Sequence, residues 1–340
     1  MKIALDAMGG DNAPEQIIIG AIEALKIAND FEIFLVGKEK KIKKFLKKYN
    51  HKKHHRLEIV PASQKITMND SPARALRRKK DACLNIASNL VKKDKADALI
   101  SAGNTGAVMA AGLFNIGRIT NIKRPAIATI FPSKSGKTLL LDAGANTDSK
   151  PENLLQFAIM GQIYASNILN IENPRLGILS VGEEEKKGNK LSKKTYNILK
   201  KDHRLHNFIG NVEGRDIFNG SCDIIICDGF VGNIVLKTTE GAASYMFDLL
   251  KSSLTSNFIS KAGALLVKPA LKKLQSKLDY RQYGGAPLLG VKGAVIISHG
   301  SSDATAIVNA IKVARESVHK KIISLIENEI NEDGDKNNES

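Results

Sequence analysis

The sequence predicts an α/β protein built on a mainly parallel sheet. Two observations carry that prediction. Short apolar runs rich in β-branched residues recur along the chain, and each ends in a polar, glycine-bearing segment that usually opens a helix. Such runs suit strands buried on both faces. The second observation is the stretch from Ser221 to Lys237, where the pattern is most complete. Ile224 to Cys227 reads as a buried strand, Asp228 and Gly229 break it, and a helix is expected from about Ile234, after Gly232 and Asn233. Ligands of open α/β sheets lie beyond the carboxyl ends of the strands. A helix N-terminus there offers free N–H groups and a positive dipole end to an anion. A plain strand-to-helix turn without a ligand would read the same way.

Composition sets the bounds. The chain has 340 residues, 43% hydrophobic and 25% charged, which suits one large globular domain or two smaller ones. No apolar run approaches the ~20 residues of a membrane-spanning helix. Asp6 interrupts the apolar start, so no signal peptide is expected. Cys83, Cys222 and Cys227 are odd in number and lack a zinc spacing, which argues against a disulfide framework and fits a reducing cytoplasm. The formal net charge of +16 favours acidic partners: nucleic acid, anionic lipid or an acidic protein. Much of the excess lies in Lys38 to Arg56, which reads as a solvated helix face. With little aromatic interleaving to stack bases, nucleic acid gains no support.

Taken in order, Ile3 to Leu5 is a strand ending in Asp6-Ala7-Met8-Gly9-Gly10-Asp11, followed by an amphipathic helix to about Ala28. Asp6 and Asp11 could orient a cation or a hydroxyl, or cap the helix. Glu32 to Val36 and Leu57 to Val60 are strands around the basic helix. Asn69-Asp70-Ser71-Pro72 starts a helix whose Arg74, Arg77 and Arg78 share a face, followed by Lys79 and Lys80. That face could grip a phosphate or simply be solvated. Ala98 to Ile100 leads into Ser101-Ala102-Gly103-Asn104-Thr105-Gly106-Ala107. Backbone N–H groups and neutral donors make that loop a candidate anion cradle through Ser101, Asn104 and Thr105. It is not a dinucleotide fingerprint. Ser135-Gly136-Lys137-Thr138 mimics the end of a P-loop, but Phe131 stands at the required glycine and the segment reads as a hairpin.

Thr138 to Leu141 is a strand ending in Asp142-Ala143-Gly144-Ala145-Asn146, and a helix runs from about Pro151 to Asn167. Arg175 to Leu179 and Phe208 to Gly210 are further strands, the first followed by an acidic and basic loop through Lys187-Gly188-Asn189. From Glu240 to Leu278 apolar residues recur at helical spacing among lysines that include Lys272, Lys273 and Lys277. Gly263 and Pro269 suggest two helices joined at Ala264 to Val267. An apolar tip ringed by lysine suits a membrane surface, and packing on a second subunit or the core suits it equally. Ala294 to Ile297 is a strand ending in Ser298-His299-Gly300. His299 could do acid–base work or be structural. His203 and His206 have no further ligand nearby in sequence, so no metal is expected. Residues 331–340 read as a polar, disordered tail on a domain spanning 1–330.

Together these segments resemble the phosphate acyltransferases of bacterial phospholipid synthesis. The resemblance rests on Asp6 to Asp11, Ser101 to Ala107, Gly144-Ala145-Asn146, Lys187-Gly188-Asn189, Gly210-Asn211-Val212-Glu213, Asp228 to Lys237 and Gly284-Gly285-Ala286-Pro287, in that order from Lys2 to about Glu329. Ser180 stands where the family pattern has asparagine, and Ser149 at a position that varies. The resemblance implies a three-layer α/β/α domain related to isopropylmalate dehydrogenases and phosphotransacetylases, with a helical protrusion over 240–280. It implies transfer of a fatty acyl group from acyl carrier protein to inorganic phosphate, without a cofactor. It also implies a cytoplasmic homodimer that touches an anionic membrane surface through the protrusion, with a membrane glycerol-3-phosphate acyltransferase downstream.

Phosphate is already an anionic nucleophile, so positioning and oxyanion donors should dominate catalysis. On the resemblance, Lys187 neutralises phosphate or the oxyanion, Asn233 donates to one of them, and Ser101, Asn104 and Thr105 hold phosphate. His299, Asp6, Asn146 and Asn189 are expected at the site wall, and Arg77 and Lys80 at the carrier or its phosphopantetheine arm. No cysteine lies in a matching loop, so direct transfer is expected. Two rival readings remain: an enzyme using coenzyme A instead of the carrier, and a non-catalytic membrane scaffold.

Overall fold

The apolar runs of the sequence become the strands of one sheet. The computed structural model describes residues 1–50, 55–278 and 284–336. The chain opens with β1 (Lys2–Asp6), α1 (Glu15–Ile27), β2 (Glu32–Gly37), α2 (Glu39–Lys48) and β3 (Leu57–Pro61). Next come α3 (Pro72–Arg78), α4 (Cys83–Lys92), β4 (Ala98–Ser101) and α5 (Thr105–Ala111). A hairpin, β5 (Ala126–Ser133) and β6 (Gly136–Leu141), leads to α6 (Pro151–Asn167), β7 (Leu176–Leu179), α7 (Lys190–Lys201) and β8 (Phe208–Val212). Then follow α8 (Asp216–Asn219), β9 (Ile224–Ile226), α9 (Gly229–Leu254) and α10 (Phe258–Leu278). The last elements are β10 (Ala286–Leu289), β11 (Ala294–Ile297), α11 (Ala304–His319) and α12 (Ile322–Lys336).

The strand order is β3-β2-β1-β4-β11-β10-β5-β6-β9-β7-β8. Pairing is mostly parallel, as the sequence predicts; the antiparallel pairs are β10 with β11, β10 with β5, and β5 with β6. The β5–β6 hairpin therefore reverses the sense of the sheet at its middle, so β6, β9, β7 and β8 run opposite to β1, β2, β3, β4 and β11. The two halves are staggered. Leu141, at the end of β6, pairs with Ala128 near the start of β5, and Ala286, at the start of β10, pairs with Ile297 at the end of β11. Carboxyl ends from both halves are thus brought to the middle of the sheet.

Side-chain alternation explains the layers. Leu139, Leu141, Ile224 and Ile226 face the core beneath α6 and α12, whereas Leu140 and Ile225 face a smaller cluster with Val212, Ile217 and the start of α9. In the other half, α1 and α11 pack against each other, α11 covers β4 and β11, and α4 packs against β1, β2 and β4. The result is α/β/α layering with helices on both faces.

Three boundaries differ from expectation. Helix α9 begins at Gly229, five residues before Ile234, because Asp228 caps it by accepting from the Val231 N–H at 2.9 Å. Its early glycines do not break it; they face backbone where no side chain fits. The two helices of the protrusion join at residues 255–257, and α10 runs unbroken through Gly263, the expected 264–267 junction and Pro269. Asn257 is the stop-and-start signal there: its Oδ1 accepts from the Ser260 N–H at 2.8 Å. The expected tail is helical as far as Lys336, because α12 buries Ile322, Ile326 and Ile330 at helical spacing and carries the helix past Asn331. Residues 337–340, residues 51–54 of the basic stretch, residues 279–280 of the expected protrusion, and the side chains of Lys272, Lys273 and Lys277 lie outside what is described.

Candidate functional site

Two loops build the site, and each is organised by a buried aspartate. Asp142 follows β6. Its Oδ1 accepts from the N–H groups of Ile127, Gly144 and Ala145, and its Oδ2 from the Asn146 N–H and side-chain amide, all within 3.1 Å. Burial pushes this carboxyl up, against those donors. The loop so held is the seat of α9. The Gly229 N–H donates to the Asn146 carbonyl at 2.8 Å, and a Cβ on Gly232 would lie 1.9 Å from the Asp142 carbonyl oxygen. Only glycine lets the helix lie this close. Asn233 then sits directly over Gly144, whose φ of +133° also favours glycine.

Asp6 plays the matching part after β1. It accepts from the Met8 N–H at 3.1 Å and from the Ser101 hydroxyl at 2.8 Å, and burial pushes its carboxyl up. Ser101 is fully buried and also accepts from the Gly103 N–H. Asn104 caps α5 through the Ala107 N–H, and its amide donates to the carbonyls of Thr67, Met68 and Asp70. Ser101 and Asn104 are therefore committed to the loop itself. Of the three residues expected to cradle an anion, Thr105 is the one presented outward.

Thr105, Asn233 and His299 meet in one hollow of about 180 Å³. Its walls are partly apolar, with Ile127, Ile130, Leu236 and Ile297, and Asn233, Lys237 and Glu240 project into it from α9. The Ser301 N–H donates to His299 Nδ1 at 3.2 Å, so the neutral ring carries its proton on Nε2. Ser298 also lines the hollow. It is 3% exposed, and its hydroxyl has no hydrogen-bond partner among the described residues. A buried hydroxyl without a partner, facing a hollow, is a ready donor to a ligand.

The other expected residues lie elsewhere. Asn146 is a positioning residue: its amide ties Asp142 to the Pro125 carbonyl. Arg77, in α3, and Lys80, just after it, are exposed and do not line the hollow. Lys187 is exposed, with its stem over Gly182, in a loop held by the Asn211 amide on the Glu184 carbonyl. Asn189 caps α7 through the Ser192 N–H. That loop borders a second hollow of about 170 Å³, lined by Ser180, Gly188, Asn189, Asp228 and Val231. Val231 points from the opposite face of α9 to Leu236 and Glu240, so the first turns of α9 divide the two hollows. Ser149 and Ser180, where the sequence departs from the family pattern, both hold buried hydroxyls without a hydrogen-bond partner among the described residues.

Sequence reasoning missed Lys237, Glu240 and Ser298. Helical spacing from Asn233 was the available signal for the first two, and adjacency to His299 for the third. Burial pushes Cys83 and Cys222 up to about 12 and Cys227 well above its usual range. None is a thiolate nucleophile near neutrality. Among the described residues no cluster of three or more His, Cys, Asp or Glu is placed to hold a metal ion, and no helix is long and apolar enough to cross a membrane.

Comparison with known proteins adds three findings. Residues 1–325 match the family described as "Fatty acid synthesis protein". A phosphate acyltransferase of Halothermothrix orenii is 61% identical over 335 residues, covering 98% of this chain and 100% of the relative. One from Heliobacterium modesticaldum is 54% identical over 330 residues, covering 97% and 98%. Among solved structures, a phosphotransacetylase from Streptococcus pyogenes superposes with a TM-score of 0.61 at 16% identity, covering 96% of this chain and 94% of its own. A branched-chain phosphotransacylase from Enterococcus faecalis does so at 0.55 and 15% identity, covering 94% and 99%. These two establish the kind of fold.

Proposed function

The chain belongs to the phosphate acyltransferase family, and on that premise we propose that it moves a fatty acyl group from acyl carrier protein to inorganic phosphate. The products are acyl phosphate and free carrier, for glycerophospholipid synthesis. The observation that carries the reading is the single hollow shared by Thr105, Asn233 and His299.

In this reading a phosphate oxygen attacks the thioester carbonyl. The new C–O bond forms, the carbonyl oxygen becomes an oxyanion, and the C–S bond then breaks. The proton carried by hydrogen phosphate ends on the carrier sulfur, relayed in this reading by His299, which lines the hollow. Asn233 and Ser298 donate to the oxyanion or to phosphate. Thr105 stands at the phosphate side. The apolar wall of Ile127, Ile130, Leu236 and Ile297 takes the first part of the acyl chain. Lys187 is exposed and is not among the residues lining this hollow. Direct transfer fits the three suppressed cysteines.

The net charge of +16 suits an acidic carrier, and Arg77 and Lys80 are exposed candidates for that contact. Carrier binding should weaken as salt rises; an affinity indifferent to salt counts against that contact. In the protrusion, Tyr245, Met246, Phe258, Leu265 and Leu266 are all at least 65% exposed. We assign this surface to a second subunit and to an anionic membrane on the cytoplasmic side. Liposome flotation and sedimentation of Leu265→Ser/Leu266→Ser test it.

The deciding experiment mixes the protein with acyl carrier thioester and phosphate. Free carrier thiol that depends on phosphate supports the reading. Faster turnover of acyl-coenzyme A than of acyl carrier favours the rival enzyme. Liposome binding without any acyl phosphate favours the scaffold.

A further inference from the structure

We propose that Lys237 is the cation that grips inorganic phosphate in this hollow, and that Glu240 holds it in reserve until phosphate arrives. The inference rests on the acyl-to-phosphate reading above. Asn233, Lys237 and Glu240 are four and three residues apart on α9, so they form one stripe along the helix. All three line the hollow, and Lys237 is the one lysine or arginine among the described residues that do. Its Nζ donates to Glu240 Oε2 at 2.7 Å. The Asn233 amide and the Lys237 ammonium thus project from successive turns of one helix face into the same space.

The pairing has a chemical consequence. An ammonium lining a partly apolar hollow is desolvated on one side, and Glu240 offsets that cost. Phosphate, carrying more negative charge and more acceptor oxygens than a carboxylate, takes the ammonium over. The lysine stem needs only a rotamer change, because Lys237 is about half exposed. Glu240 is then released, and it opposes phosphate binding by like charge. Phosphate affinity is therefore a competition between the incoming anion and Glu240, so the two substitutions must act in opposite directions.

Calorimetric titration of inorganic phosphate into wild type, Lys237→Gln and Glu240→Gln tests this without turnover. Lys237→Gln should raise the Kd about tenfold, the loss of one charge-assisted hydrogen bond. Glu240→Gln should lower it about threefold, by removing a partly exposed competitor. A gain of affinity cannot arise from misfolding, which keeps the second variant decisive. In steady state, Lys237→Gln should raise the KM for phosphate and leave the KM for acyl carrier unchanged. Equal phosphate Kd values in all three proteins overturn the proposal. So does a raised carrier KM with unchanged phosphate affinity, which would give Lys237 to the phosphopantetheine arm instead. Absence of acyl phosphate from the wild type would refute the reaction, while the titration still decides the anion seat.

Discussion

The two hollows beside the first turns of α9 are nearly equal in size, about 180 and 170 Å³, yet differ in what faces into them. The first gathers Thr105, Gly144 and His299 from beyond the carboxyl ends of β4, β6 and β11, and Asn233 and Lys237 from α9. The second holds Ser180, Gly188 and Asn189, with Lys187 exposed at its border. In the second, Asn189 caps α7 and Asp228 caps α9, which leaves the Ser180 hydroxyl as its unpartnered polar group among the described residues. In the first, Asn233 and Lys237 are exposed to the space, and the Ser298 hydroxyl is buried in its wall without a partner among the described residues. Orientation around one helix, rather than volume, separates the two: Asn233 and Lys237 line the first and Val231 the second. The loop 142–146 sets that orientation for both.

The largest effect should therefore come from the shared wall. Asp142→Ala strands buried N–H groups of the loop, at about 1–3 kcal/mol each. It should lower the melting temperature sharply or leave no soluble protein, and thermal unfolding measures it. Gly144→Ala comes next. A Cβ there meets Asn233 at 3.3 Å on a backbone with φ of +133°, so strain of about 1–3 kcal/mol is expected. Because Asn233 is displaced, kcat should fall while the second hollow is unaffected; a normal kcat detaches Asn233 from the chemistry. Asn189→Ala, in the second hollow, should cost about 1 kcal/mol through the lost cap of α7 and change kcat little. A kcat loss there beyond the stability loss would move the chemistry across α9.

The smallest effect lies far from both hollows. The Arg315 guanidinium holds Asp30 down to about 2, with His319 also bonded to it. Its folded value lies below its unfolded one. The stability it contributes is present above the ordinary carboxylate range near pH 4 and fades as pH falls toward about 2. Asp30→Asn should flatten acid unfolding within that window and leave activity at neutral pH intact.

Much of this was legible in the sequence. Each β-branched run became a strand, those inside the sheet because burial on both faces demands such residues and β3, at its edge, without full burial; His299 and Thr105 stood just past predicted strand ends. The β5–β6 hairpin was legible at Ser135 to Thr138, but the insertion of β10 antiparallel between β5 and β11 was not, since pairing partner and direction leave no mark on hydrophobic period. The starts of α9 and α10 were misplaced because Gly232, Gly263 and Pro269 were read as breaks, whereas the helices run through them and Asp228 and Asn257 supply the caps. Ser101 and Asn104 had the right chemistry for an anion. Their donors are consumed by the carboxylate of Asp6 and the carbonyls of Thr67, Met68 and Asp70, contacts remote in sequence.

The most direct test compares Asn233→Ala with Lys187→Ala in phosphate-dependent release of carrier thiol, with melting temperatures measured alongside. Asn233→Ala should lose about 10²-fold or more in kcat, as expected for a lost oxyanion donor, with its fold intact. Near-normal turnover by folded Asn233→Ala would contradict the account, whatever Lys187→Ala does.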